Sequence, residues 1–191
     1  MINFSFSQSP KGASVEELQK NWKSLLAAGA DIATDTQPLK LSDDEWKKRL
    51  SGPAYTVLRH EGTERPGSSP LDNEKRAGVF VCAGCALPLF SSAMKFDSGT
   101  GWPSFFTTIP GAFQTSRDFK MILPRTEYHC ARCGGHHGHV FDDGPRPTGH
   151  ALRATPYGPA LLQQRRGAAF YSEAGLRGFI PSYPADPIRR R

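Results

Sequence analysis

Four cysteines in two Cys-x-x-Cys pairs, Cys82-Ala83-Gly84-Cys85 and Cys130-Ala131-Arg132-Cys133, constrain this chain more than any other feature, because it has no others. Each pair can grip one side of a tetrahedral ion, and two pairs close the coordination shell, as a structural zinc site requires. Cys82, Cys85, Cys130 and Cys133 are therefore the expected ligands, and Zn²⁺ the expected cofactor. The alternatives are two disulfides, which need an oxidising compartment, or a redox pair, for which the usual βαβ setting is missing. A fold that satisfies the zinc reading must bring residues 82–85 and 130–133 to one point.

The chain has 191 residues and 38% hydrophobic content, enough for one domain with appendages. No run of about 18 apolar residues occurs, and Met1 to Gly12 has neither a basic n-region nor an apolar h-region. The expectation is a cytoplasmic protein with no membrane partner, although a chain whose leader had been trimmed would read the same. The net charge of +6 is concentrated at the end. Residues 150–191 carry seven arginines against Glu173 and Asp186, which leaves the body close to neutral. A basic tail on a neutral body points away from nucleic acid as a partner.

Along the chain, Ser14-x-x-Glu17 and Ser42-x-x-Glu45 are capping-box patterns. The first predicts a helix carrying Val15, Leu18, Trp22, Leu25 and Leu26 as far as Gly29. The second predicts a short helix with Trp46 and Leu50, stopped by Gly52-Pro53. From Tyr55 to Asp143 short apolar runs alternate with Gly, Pro, Ser and Asp, predicting strands near Val79–Val81, Leu87–Phe90, Phe119–Leu123 and Gly138–Phe141. The expected fold is mainly β: a compact antiparallel domain of two small sheets over 41–149, with the metal at one edge. Short helices and a linker precede it over 1–40, and an Arg/Ala/Pro-rich tail follows over 150–191. Pro156, Pro159, Pro181, Pro184 and Pro187 suit central strands poorly. The tail is therefore expected to be loosely ordered, with a short helix near Ala160 to Phe170.

Three tracts are specific enough to identify a family. Gly62-Thr63-Glu64-Arg65-Pro66, Phe96-Asp97-Ser98-Gly99-Thr100-Gly101-Trp102-Pro103-Ser104-Phe105, and Arg125-Thr126-Glu127 running on to His136-His137-Gly138-His139-Val140-Phe141-Asp142-Asp143-Gly144-Pro145 and Pro147-Thr148-Gly149 resemble the methionine sulfoxide reductase B family. The resemblance runs from about Leu41 to Gly149. It implies a β-rich fold, a peptide-methionine (R)-S-oxide reductase activity on oxidised proteins, thioredoxin as the usual reductant, and a structural role for zinc.

In such an enzyme a thiolate attacks the sulfoxide sulfur while the oxygen takes up a proton, and a second thiol then releases water. The resemblance makes Trp102 the wall for the substrate methyl. His136 and His139 would polarise or protonate the oxygen, and Asp143 would orient them. Simpler roles stand beside these: Trp102 as core, a histidine as metal ligand, and Asp97, Asp142 or Asp143 as turn caps. His137, between the two histidines, is expected on the opposite face of a strand and has no assigned role.

The match breaks after Gly149. Family members continue with Arg-Tyr-Cys-x-Asn, which carries the nucleophile, whereas this chain reads His150-Ala151-Leu152-Arg153-Ala154-Thr155. Ungapped alignment puts Arg153 at the nucleophile, Thr155 at the asparagine and Thr100 at the usual resolving position. A guanidinium has no lone pair with which to attack sulfur. Two accounts of the break are a shifted reading frame in a GC-rich gene and a divergent tail. The corresponding functional alternative is a non-catalytic zinc β module that binds a sulfoxide or another small ligand.

Overall fold

The structure is a computed structural model, and it describes residues 13–26, 29–119 and 124–154, together with the backbone of 159–163. Both capping boxes form. The Glu17 amide donates to Ser14 Oγ while the Ser14 amide donates to Glu17 Oε2, opening α1 (Val15–Asn21). This helix stops short of Gly29 by tightening into a 3₁₀ turn over Trp22–Leu25. Ser42 and Glu45 repeat the pattern at α2 (Asp43–Arg49).

A third helix, α3 (Gly52–His60), starts where only a stop was expected. Proline ends the preceding helix and also suits a first helical turn, where its missing N–H would have had no partner. Ser51 Oγ accepts from the Ala54 amide and completes the cap. The stretch expected to turn to strands at Tyr55 is thus helical to His60.

Among the described residues nine strands follow in two antiparallel sheets, so the expected mainly β class holds. The strands are β1 (Gly78–Cys82), β2 (Pro88–Ser91), β3 (Lys95–Phe96), β4 (Ser104–Phe105), β5 (Phe113–Asp118), β6 (Arg125–Cys130), β7 (His136–Phe141), β8 (Ala151–Ala154) and β9 (Pro159–Gln163). The smaller sheet has the order β2-β1-β9 and the larger the order β3-β4-β8-β7-β6-β5. Aromatic rings from both sheets meet in the core. Phe90 of β2 stacks on Phe105 of β4 at 3.9 Å, and Phe80 of β1 meets the same ring edge-on at 5.0 Å. Burial of such rings supplies the main drive for packing the two sheets together.

Two expectations are corrected, and a third falls mostly outside the described residues. Of the strand expected over Phe119–Leu123, Phe119 is exposed and follows the end of β5, and residues 120–123 lie outside the described residues. Loose order from residue 150 does not hold for the first part of the tail. β8 sits in the middle of the larger sheet between β4 and β7, with Ala151 and Ala154 buried. The helix expected to open near Ala160 is instead β9, paired antiparallel with β1 from Gly78↔Gln163 to Cys82↔Pro159. Pro159 is tolerated because it is the first residue of a strand at the sheet edge, where a missing donor costs little. The remainder of the tail, 164–191, lies outside the described residues, as do 1–12.

Candidate functional site: a thiol cluster beside a histidine-carboxylate face

The two Cys-x-x-Cys segments form matching knuckles. The Ala86 amide bonds to Cys82 O at 2.8 Å and the Gly134 amide to Cys130 O at 2.9 Å. In each knuckle the residue after the second cysteine turns left-handed, Ala86 with φ 59° and Gly134 with φ 68°. The four buried sulfurs lie within 4.8 Å of one another. Cys82 and Cys133 Sγ are 3.6 Å apart, and Cys85 and Cys130 Sγ 3.4 Å.

A tetrahedral ion with metal–sulfur bonds of about 2.3 Å would space its sulfurs by about 3.8 Å, so the cluster has the right size for one such ion. Its protonation chemistry agrees. Hydrogen bonds from the other thiols, Cys133 first, pull the Cys130 thiol far below its ordinary range, while Cys82 and Cys133 are held above theirs, Cys82 chiefly by Cys130. The bare thiols thus resist ionising together, and four thiolates in this buried place call for a cation.

His137, left without a role by sequence, supports this cluster. It is fully buried, with Nε2 3.4 Å from Cys82 Sγ, and desolvation lowers its pKa to about 4. Arg59 of α3 donates to Cys133 O at 2.9 Å, and its guanidinium lies 4.9 Å from the Trp46 ring centre. Neither His136 nor His139 belongs to the thiol cluster, so their reading as metal ligands is not supported.

His136 and His139 are three residues apart, a spacing that sends side chains to opposite faces of a regular strand. A register shift opposite Tyr128 and His129 changes this: Tyr128 pairs with Gly138 and His129 with His136, which leaves His137 as the extra residue. The two rings end up 5.5 Å apart. Gly138 makes the bulge possible. Its φ is 137°, and a Cβ there would lie 2.0 Å from Arg153 O on β8.

Each histidine has its own carboxylate. His136 Nδ1 donates to Glu127 Oε1 at 2.5 Å, and His139 Nε2 donates to Asp118 Oδ2 at 2.8 Å. Asp118 also accepts from Arg125 at 2.6 Å. Burial lowers the pKa of His139 and the Asp118 bond opposes the shift, so the ring is biased toward its neutral form. His136 Nε2 is buried and has no hydrogen-bond partner among the described groups. Glu127 and His136 also line a cavity of about 280 Å³ together with Ser116, His129, Arg59 and Glu61. Trp102 and Arg153 are not among its lining residues.

Asp143 does not orient the histidines. Its Oδ2 accepts from Arg153 at 2.7 Å, and the Arg153 guanidinium lies 4.3 Å from the Phe141 ring centre. Arg153 pairs in register with His139 on one side and Ser104 on the other. Trp102, two residues before Ser104, is partly buried and donates from Nε1 to Glu64 O at 3.1 Å. Sequence reasoning missed Glu127 and Asp118 as the orienting groups. Alternation along β6 could have offered Glu127, but Asp118 is brought in only by the pairing of β5 with β6.

Comparison with known proteins agrees with this architecture. The family model of the SelR domain matches residues 50–154. The chain is 46% identical over 146 residues to the chloroplastic peptide methionine sulfoxide reductase B1 of Arabidopsis thaliana, covering 76% of this chain and 65% of that protein. It is 50% identical over 110 residues to the corresponding rice protein, covering 57% of this chain and 51% of that one. It is also 50% identical over 109 residues to peptide methionine sulfoxide reductase MsrB of Agrobacterium fabrum, 56% of this chain and 81% of the relative. The chain therefore spans a half to two thirds of the two plant relatives' lengths. The matched residues take in both knuckles, both histidines, their carboxylates and Arg153, and on this match the chain belongs to the SelR domain family.

Proposed function

We propose that this chain presents a methionine-R-sulfoxide site of the peptide-methionine (R)-S-oxide reductase type, acting on oxidised methionine in proteins or peptides. The observation that carries the reading is the pair of carboxylate-held histidines brought to one place by the β7 bulge, inside a domain of this family. A sulfoxide oxygen is a strong acceptor. An imidazolium at either position would donate to it and could protonate it as the S–O bond breaks. The indole of Trp102 offers an apolar wall for the methyl group.

Zn²⁺ is the ion that four thiolates at this spacing favour, and Cys82, Cys85, Cys130 and Cys133 would hold it. When bound it closes the knuckles and contributes folding energy. Four unoxidised cysteines suit a reducing compartment such as the cytoplasm, and thioredoxin is the reductant that would regenerate a thiol enzyme there.

The reduction itself needs a thiolate to attack sulfur. The enzyme sulfur gains the oxygen as sulfenic acid, the substrate leaves as the thioether, and a second thiol reduces the sulfenic acid to a disulfide and water. All four cysteines of the sequence lie in the thiol cluster, and Arg153 stands beside His139. That placement favours a second reading, a module that binds the sulfoxide without reducing it. Turnover of a peptide methionine R-sulfoxide with dithiothreitol, on the full chain and on Arg153→Cys, decides between them. Activity only in Arg153→Cys is the result expected for an intact site without its nucleophile. Activity in the unaltered chain would assign the chemistry to a cluster cysteine. Inactivity of both would overturn the reductase-type reading.

A further inference from the structure

The segment from Ile32 to Leu41, before the residues that match the family, runs across both cysteine knuckles. The Ala33 amide donates to Ala86 O at 3.0 Å, on the residue that closes the first knuckle. Six residues later the Leu39 amide donates to Arg132 O at 2.7 Å, inside the second knuckle. Arg132 then links the two: its guanidinium donates to Cys85 O at 3.2 Å and lies 3.9 Å from Asp35 of the same segment. Asp35 Oδ1 also accepts from the Gln37 amide at 2.9 Å, which shapes the turn between the two attachment points. Ile32, Ala33, Leu39 and Leu41 pack on the core cluster that includes all four cysteines.

We propose that residues 33–39 are a strap that retains the metal, holding the two knuckles at a fixed separation so that the ion cannot leave by their parting. The inference rests on the metal reading given above. A four-thiolate site loses its ion stepwise, and the first step is the swing of one Cys-x-x-Cys pair away from the other. Each knuckle here is tied by a main-chain hydrogen bond to the same short segment, and Arg132 ties the second knuckle directly to the first. Opening breaks several hydrogen bonds together, and each contributes to the barrier. The strap acts on how long the ion stays and leaves the ligand set unchanged.

The test uses the full chain loaded with zinc and begins with metal stoichiometry; a protein that holds no zinc would fail the metal reading and the strap with it. Release into excess 4-(2-pyridylazo)resorcinol is then followed by absorbance. Arg132→Met keeps the length of the side chain and removes its donors, and should release zinc about tenfold faster. The Ala33→Pro, Leu39→Pro pair removes both main-chain donors and should be at least as fast. Gln19→Ala deletes a bond from α1 to Thr107, 2.8 Å long and involving no residue of the strap or of the knuckles, and should release at the unaltered rate. One zinc per chain with Arg132→Met releasing at the unaltered rate overturns the strap while leaving the metal reading intact, whether or not the proline pair folds. Equal acceleration in Gln19→Ala also overturns it, because general loosening would then explain the effect.

Discussion

At the scale of single residues, the site depends on two histidines that use different nitrogens. His136 is held through Nδ1 and His139 through Nε2, so their remaining nitrogens differ in aim and surroundings. Glu127 is nearly buried and serves His136. Glu127→Ala should leave that ring without its anchor and cost about 2 kcal/mol, read as a lower urea midpoint, because a buried donor then goes unsatisfied. His139 sets a pH dependence with a definite sign. Its folded pKa lies below the ordinary 6.5, so its contribution to stability is full above about pH 6.5 and is lost as pH falls through the lower folded value. His139→Gln should therefore narrow the gap between urea midpoints at pH 7.5 and pH 5.5; an unchanged gap would refute this assignment. The tract containing both histidines was legible because the residue types and spacing are distinctive. Asp143 was misread as their orienting group, since proximity in sequence stood in for a geometry that gives it to Arg153.

Among the elements, β7 and β9 carry the most consequence. Gly138 is the one residue that lets β7 bulge against β6 while lying flush on β8. Gly138→Ala combines a left-handed φ with a clash on Arg153 O, and should destabilise the chain by about 3 kcal/mol or prevent folding. A melting temperature lower by about 10 °C is the expected readout. β9 covers the free edge of β1, a strand whose five residues are all buried. A chain ending at Ala154 would expose that edge, and should elute as larger species on gel filtration than the full chain. Capping boxes revealed α1 and α2, because their signals lie within four residues. α3 was missed because Gly-Pro signals a stop and a start alike, and only the packing of α3 on β7 selects the start. β8 and β9 were missed because composition argued for loose order, whereas pairing with β4, β7 and β1 supplies hydrogen bonds that local propensity does not register.

Over the whole molecule, the thiol cluster joins what the sequence separates. Cys82 and Cys133 are fifty-one positions apart and their sulfurs are in contact. Cys130→Ser should abolish zinc binding and lower the melting temperature, and chelation of zinc from the unaltered chain should do the same; a chain indifferent to both would exclude a structural ion. Sequencing the gene across the codons for Thr148 to Ala154 separates a shifted frame, which restores Arg-Tyr-Cys, from a divergent tail. The amino-acid sequence by itself determined the thiol tetrad, the first two helices, the mainly β class and the family, because each is written in residue types at short, fixed spacing. Tertiary structure alone decided which carboxylate serves which histidine, the strands beyond Gly149, the place of His137 and the hold of the N-terminal strap on both knuckles. Those depend on strand register and on contacts between distant segments, and one bulge at Gly138 is enough to change which side chains share a face.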